Sequence, residues 1–340
     1  MGDAIDDAIR KVCGKKSLSR EEARIVFDEI MSGRCAHGKI VEFLIALSEK
    51  GESIEEIQGA AESMRGVVAR VKYDGKANLL DVVGTGGDGK NSFNVSTTSA
   101  IVAAGAGCIV AKHGNRGASS KCGAADVLEA LGVNIGTSPE RNSEILKKIG
   151  IAFMFAPTHH PAMKYAIGPR KEIGKRTIFN ILGPITNPAN ASTYLLGAYS
   201  EELAKKLAFV LAGLGAKKAL VVHGSGFDEA TLTGKTIIFE VEDKKVGKKE
   251  ITPEQFGFSR CRENELGVAN AKESAQIIKN ILNGKEKGAR FDTIALNAGL
   301  AIYANGKARD FGEGIALAKQ SLLSGKALKK LEELIEESNR

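Results

Sequence analysis

Three glycine-rich segments hold residue types that could do chemistry. The first, Gly84-Thr85-Gly86-Gly87-Asp88-Gly89-Lys90-Asn91, follows the apolar run 79–83. Glycines at a strand exit let the backbone approach a ligand and aim N–H groups at an anion. Gly84, Gly86 and Gly89 satisfy the dinucleotide pattern G-x-G-x-x-G. That pattern also wants an acid about 20 residues further on for a ribose hydroxyl. Residues 89–125 contain no Asp or Glu, which excludes NAD. The same loop nearly matches G-x-x-x-x-G-K-[ST], but Asn91 lacks the hydroxyl that holds Mg²⁺, which excludes a P-loop NTPase. Next, Asn94-Val95-Ser96-Thr97-Thr98-Ser99 supplies side-chain donors where a helix is expected over 97–106. A helix N-terminus attracts anions. A tight turn followed by an ordinary cap would account for either feature alone; together, in a basic stretch, they favour phosphate binding.

The second segment, Lys112-His113-Gly114-Asn115-Arg116, runs on through Ser119, Ser120, Cys122 and Ala124. It offers two permanent cations, an imidazole, an amide and two hydroxyls after the apolar run 108–111. His113 could act as a base, although a single His after a strand more often packs or hydrogen-bonds. The third is His223-Gly224-Ser225-Gly226-Phe227-Asp228-Glu229. Mg²⁺ commonly takes one or two carboxylates plus substrate phosphates. A lone Asp-Glu pair is usually an acidic cap, but opposite a cationic phosphate pocket it suits a metal-diphosphate substrate. Between these lie His159-His160, Arg170 and two proline-bearing loops, with Pro157 and Pro161 in one and Pro184 and Pro188 in the other. Such rigid loops shape pocket walls. The histidine pair is set aside as a metal site because adjacent helical residues do not face the same way.

Positioning these groups requires a scaffold. The first 70 residues read as helices. Ser19 with Glu22 and Ser53 with Glu56 form capping boxes, and Ala23, Val26, Phe27 and Ile30 follow at helical spacing towards a stop at Gly33. Ile40, Phe43, Leu44 and Leu47 repeat the pattern up to Gly51. After residue 75, short apolar runs at 79–83, 108–111, 151–155, 194–199 and 219–222 alternate with helical stretches at 124–131, 141–149 and 202–214. Alternation of this kind implies a mostly parallel sheet with helices on its faces, and ligands bind beyond the carboxyl ends of its strands. Residues 269–337 read as helical, without obvious chemistry. The fold class is therefore α/β: a small N-terminal all-helical domain at 1–70, and a larger α/β domain at 71–340 with a mostly parallel central sheet flanked by helices. Part of 160–190 is expected to pack with the helical domain. Short amphipathic helices bury little alone, so 1–70 is also expected to pair two copies into a homodimer.

Composition bounds the function classes. The chain has 340 residues, 43% hydrophobic and 26% charged, which excludes fibrous and disordered classes and suggests about two domains. The most apolar stretch, 93–111, is diluted by Asn94, the Ser/Thr run and glycines, so no membrane span is expected. The acidic start, Asp3, Asp6 and Asp7, lacks the order of a signal peptide. Five cysteines without a C-x-x-C pair read as reduced thiols of a cytoplasmic protein. Tryptophan is absent and aromatics reach only 5%, which supplies nucleic-acid stacking poorly. The net charge of +7 is uneven: residues 112–186 hold 11 basic and 5 acidic side chains, favouring an anionic partner.

The ordered set of Gly84–Asp88, Asn94–Thr97, Lys112–Arg116, Ala156-Pro157-x-x-His160-Pro161-Ala162, Arg170, the loop 180–187 and Asp228-Glu229 resembles the anthranilate phosphoribosyltransferase family. The resemblance covers most of the chain, including the N-terminal helices. It implies phosphoribosyl diphosphate (PRPP) as donor, anthranilate as acceptor, and a Mg²⁺-assisted transfer in tryptophan biosynthesis with no covalent nucleophile or catalytic base. It assigns PRPP to Gly84, Gly87, Asp88, Ser92, Asn94, Val95, Ser96, Thr97, Lys112, His113, Gly114, Asn115, Arg116, Ser119, Ser120 and Ala124. Anthranilate falls to Gly84, His113, Asn115, His160, Arg170 and Pro184. Ser96, Asp228 and Glu229 would hold Mg²⁺, two ions per monomer with PRPP bound. The alternatives are a nucleoside or nucleotide phosphorylase of the same fold, and a non-catalytic nucleic-acid-binding relative; intact Arg170 and Asp228-Glu229 count against the latter.

Overall fold

The structure, a computed structural model, describes residues 3–117 and 122–340. It divides into a helical unit, 1–70 with 156–188, and an α/β unit, 71–155 with 189–340.

In the helical unit, helices Arg20–Met31 and Ile54–Gly66 both start on the expected capping boxes. Phe27, buried on the first of them, packs its ring edge-on against Phe43 at 6.0 Å and Phe179 at 5.7 Å. Gly59 lets two helices cross closely, since a Cβ there would overlap the Arg20 carbonyl oxygen. Glu56 does more than cap: it is fully buried, accepts from the Leu18 amide at 2.8 Å, and pairs with Lys50 at 2.8 Å.

The α/β unit holds one seven-stranded sheet. Its strands are β1 (Leu79–Gly84), β2 (Ile109–Gly114), β3 (Ile151–Phe155), β4 (Thr193–Gly197), β5 (Lys218–Gly224), β6 (Thr236–Glu242) and β7 (Lys245–Ile251). They lie in the order β3-β2-β1-β4-β5-β6-β7, the first five parallel and the last two antiparallel. The expected runs all become strands, and their burial on both faces suits a covered parallel sheet. The hairpin β6–β7 was not expected. Its turn residues Asp243 and Lys244 take positive φ, as tight hairpins need. Strand β7 is mostly exposed and carries Lys245, Lys248 and Lys249, charges that protect a sheet edge.

The chain moves outward from β1 to β2 and β3, then returns to the other side of β1 as β4. That reversal creates a crevice at the carboxyl ends of β1 and β4, where open α/β sheets bind ligands. Gly84 and Gly197 end these two strands and sit in register with each other. Beneath them, helix Val95–Gly105 is almost wholly buried, and Ser321 donates to its Val102 carbonyl at 2.8 Å.

Candidate functional site

Glycine pairs at the crevice because a carboxylate fills the space that a side chain would take. A Cβ on Gly84 would stand 2.5 Å from Asp228 Oδ2, and one on Gly197 would overlap the Asp228 carbonyl oxygen. The Gly86 amide donates to Asp228 Oδ2 at 2.6 Å. Asp88 reaches the same group, its Oδ2 lying 3.5 Å from the Asp228 amide. Burial, followed by the neighbouring Asp88 charge, pushes the Asp228 carboxyl up to about 7. Burial and then Asp228 and Asp88 also hold Glu229 well above the ordinary carboxylate range. Glu229 Oε1 is closed to solvent and has no hydrogen-bond partner among the described residues, while the Ser92 hydroxyl supports the carboxylate. Crowded, under-satisfied carboxylates of this kind suit a divalent cation. Among the described residues no group of three His, Cys, Asp or Glu side chains forms a complete cage. A two-carboxylate site completed by substrate oxygens is the mode Mg²⁺ favours.

Ser92, Asn94, Val95, Ser96 and Thr97 follow the glycine loop. Asn94 is the cap: its Oδ1 accepts from the Thr97 amide at 3.0 Å, so the helix begins at Val95, two residues before the expected start. Ser96 is half-buried, with its hydroxyl 3.5 Å from the Asn94 side-chain oxygen. Segment 91–93 is clamped from outside, as the Phe93 amide donates to Leu266 and the Val268 amide donates to Asn91. Lys90 salt-bridges Glu263 at 2.8 Å and lies over the Phe227 ring.

The second segment departs from the expected strand exit. Strand β2 continues to Gly114, paired residue by residue with β3, so Lys112 and His113 lie buried inside the sheet. The Lys112 ammonium donates to the Val82 carbonyl at 2.7 Å, and burial, opposed by Asp81, pulls its pKa down to about 8. Asp81 accepts from the His113 amide at 3.1 Å. Arg116 is also committed: it pairs with Asp126 at 3.0 Å and Glu129 at 2.7 Å, and stacks over Phe155. Asn115 is exposed, and its carbonyl accepts from the Ala125 amide beside Ala124. Ser119 and Ser120 fall outside the described residues.

Three predicted acceptor residues lie on the helical unit. Arg170 occupies the last turn of helix Lys164–Ile173 and stacks over Phe179 at 5.6 Å. It is half-buried, burial lowers its pKa, and among the described residues no carboxylate answers it. His160 is buried and held down to about 4, chiefly by burial and then by His159. Pro184 lies in a buried single turn, Gly183–Ile185, whose last carbonyl accepts two bonds from Arg65, at 2.7 and 3.0 Å.

Residues 76–328 match the model of the glycosyl transferase family, a/b domain, and residues 6–67 match its helical bundle domain. A curated anthranilate phosphoribosyltransferase from Desulfosudis oleivorans is 50% identical over 96% of this chain and 97% of its own. The chain belongs to the anthranilate phosphoribosyltransferase family. Another family member, from Methanobrevibacter smithii, is 48% identical over 98% of this chain and 99% of its own. The crystal structure of the Thermus thermophilus anthranilate phosphoribosyltransferase superposes with a TM-score of 0.93 at 42% identity, covering 98% of this chain and 100% of that one. The Saccharomyces cerevisiae enzyme in complex with PRPP and Mg superposes at 0.91 with 29% identity, covering 100% and 99%.

Residues that the family motifs did not bring forward also shape the site. Asp81 was visible as a charge inside an apolar run. Ser274 was not: it sits on helix Ala271–Leu282, far along the chain, yet accepts from the Asn94 amide at 3.0 Å and bonds Cys122. Among the described residues, no helix is long and apolar enough to cross a membrane.

Proposed function

We propose that this chain transfers the phosphoribosyl group of PRPP to the amine of anthranilate, giving N-(5-phosphoribosyl)anthranilate and diphosphate, in tryptophan biosynthesis. The observation that carries this reading is the crowded Asp228-Glu229 pair, with Glu229 Oε1 unsatisfied among the described residues, lodged at the switch-point glycines of a chain half identical to anthranilate phosphoribosyltransferases.

The amine nitrogen forms a bond to ribose C1, the C1–O bond to diphosphate breaks, and the nitrogen loses a proton to solvent. An aromatic amine is neutral near pH 7, so its lone pair needs no base. Catalysis is electrostatic and positional. Asp228 and Glu229, with Ser96, are the proposed holders of Mg²⁺, two ions per monomer with PRPP bound. Such an ion supplies neutralising charge to a diphosphate leaving group. The amides around Gly84 and Gly87, with Asp88, Ser92, Asn94, Val95, Thr97, Lys112, Gly114, Arg116, Ser119, Ser120 and Ala124, are proposed to hold PRPP. For the acceptor, Arg170 is proposed to take the carboxylate, supported by its half-buried guanidinium, which meets no acidic partner among the described residues. Further acceptor contacts are proposed on each unit by itself: Gly84, His113 and Asn115 on the α/β unit, His160 and Pro184 on the helical unit.

The helical domain 1–70 is proposed to pair two copies in a homodimer of the cytoplasm, with 71–340, part of whose 160–190 stretch packs with the helices, as the catalytic domain. Among the described residues, five of the seven large exposed apolar side chains, Ile25, Ile45, Val67, Tyr165 and Ile167, belong to the helical unit, which supports a second copy covering them.

The test is the double variant Asp228→Asn, Glu229→Gln. Consumption of fluorescent anthranilate with PRPP should fall steeply and recover only partly at high Mg²⁺. A wild-type Mg²⁺ titration in that variant would overturn the metal assignment.

A further inference from the structure

The loop that delivers Asp228 and Glu229 is held by an imidazole that the family motifs leave without a role. His223 lies near the end of β5. Its Nδ1 is 2.9 Å from the Ala198 carbonyl oxygen, and its Nε2 is 3.3 Å from the Gly226 amide nitrogen. A carbonyl only accepts and an amide N–H only donates. The two bonds therefore fix one neutral tautomer, with the proton on Nδ1.

What these bonds connect gives them their consequence. Ala198 follows Gly197 at the exit of β4, where the Asp228 backbone packs so closely that a Cβ on Gly197 would overlap its carbonyl oxygen. Gly226 is the third residue of a tight turn closed by reciprocal bonds between Gly224 and Phe227, at 3.1 and 3.0 Å. Ser225 and Gly226 both take positive φ, 49° and 97°, a strained choice for serine. Gly224 in turn packs on the backbone of Glu229, whose carbonyl oxygen a Cβ there would strike. The backbone of the carboxylate pair thus runs between the β4 exit and the turn, and His223 bonds both.

We infer that His223 is a positioning residue, which sets the place of the Asp228-Glu229 carboxylates by tying the 224–227 turn to the end of β4. The inference rests on the proposed metal and PRPP site but concerns a group that touches neither. Loss of the imidazole frees the turn, and the carboxylates lose their preset separation from the Gly86 amide.

Calorimetric titration of PRPP with Mg²⁺ into the intact protein tests it, beside the KM for anthranilate and the melting temperature. His223→Ala, which removes both bonds, should weaken PRPP binding in Mg²⁺ by about tenfold, a factor comparable with the net worth of one hydrogen bond. The KM for anthranilate should stay within about twofold, and the melting temperature should fall by only a few degrees. His223→Asn keeps a donor for Ala198 and should recover part of the binding. A folded His223→Ala protein that binds PRPP like wild type overturns the inference. So does an equal shift in both substrates with a collapsed melting temperature, because His223 is then merely structural. If His223→Ala fails to fold, His223→Asn decides: its shorter side chain places no acceptor where Nε2 meets the Gly226 amide, so wild-type binding there also overturns the role. Wild-type protein that binds PRPP equally in Mg²⁺ and in EDTA refutes the proposed metal site itself, and the inference with it.

Discussion

Arg170 carries its charge into the helical unit with an aromatic ring beneath it and, among the described residues, no acid beside it. Anthranilate presents a carboxylate next to its amine, and a guanidinium grips a carboxylate bidentately. A charge-assisted bond of this kind is worth about 1.5–3 kcal/mol, or roughly 10- to 150-fold. Arg170→Ala should raise the KM for anthranilate by that factor and leave the KM for PRPP nearly unchanged; steady-state kinetics with each substrate varied in turn would expose a selective PRPP defect as the contrary result. His160 gives a second residue-scale expectation. Above pH 6.5 its imidazole is neutral in both folded and unfolded chains. Below that, the unfolded chain takes up a proton that the buried group refuses until about pH 4. Stability should therefore fall by about 3 kcal/mol as pH drops from 6.5 to 4. Urea unfolding of His160→Gln should show a shallower loss over the same window; an unchanged slope would assign the acid sensitivity elsewhere.

At the scale of elements, the paired ends of β1 and β4 behave differently although both are glycine. At Gly84 the obstacle is a side-chain oxygen, which can swing away. Gly84→Ala should keep its fold but displace Asp228 from the Gly86 amide, raising the KM for PRPP with little change in melting temperature. At Gly197 the obstacle is backbone. Gly197→Ala should lose about 3 kcal/mol or more of stability, visible in denaturant melts, because strand or loop must shift bodily. Helix Ile54–Gly66 offers a parallel case, since Glu56 both caps it and balances buried Lys50. Glu56→Ala should cost about 3–5 kcal/mol, as a buried ammonium is left without its partner. The capping boxes were legible in the chain because they are local, a serine and a glutamate three residues apart. Strand β7 was not legible: only its ladder with β6 makes a strand of Lys-rich, exposed residues.

For the whole molecule, the exposed apolar side chains of the helical unit argue for a partner of the same chain. Light scattering at micromolar concentration should give the dimer mass, and Ile167→Glu, at a side chain 57% exposed, should weaken it. A fully active wild-type monomer would refute the pairing.

Fold class, the five parallel strands and the glycine, carboxylate and arginine candidates were set by the amino-acid sequence alone, because periodicity, capping and turn chemistry act over a few residues. Tertiary structure decided the rest. It drew Lys112 and His113 into β2, where the ladder with β3 runs on to Gly114 and, on the other side, the Val82 carbonyl and the Asp81 carboxylate take the polar groups. It turned Arg116 towards Asp126 and Glu129, and brought Ser274 to Asn94 from 180 residues away. It also set Asp88 against Asp228, a pairing of like charges that no local pattern encodes. Contacts between distant segments depend on the order of strands in the sheet, and the reversal between β1 and β4 exists only once the sheet has formed.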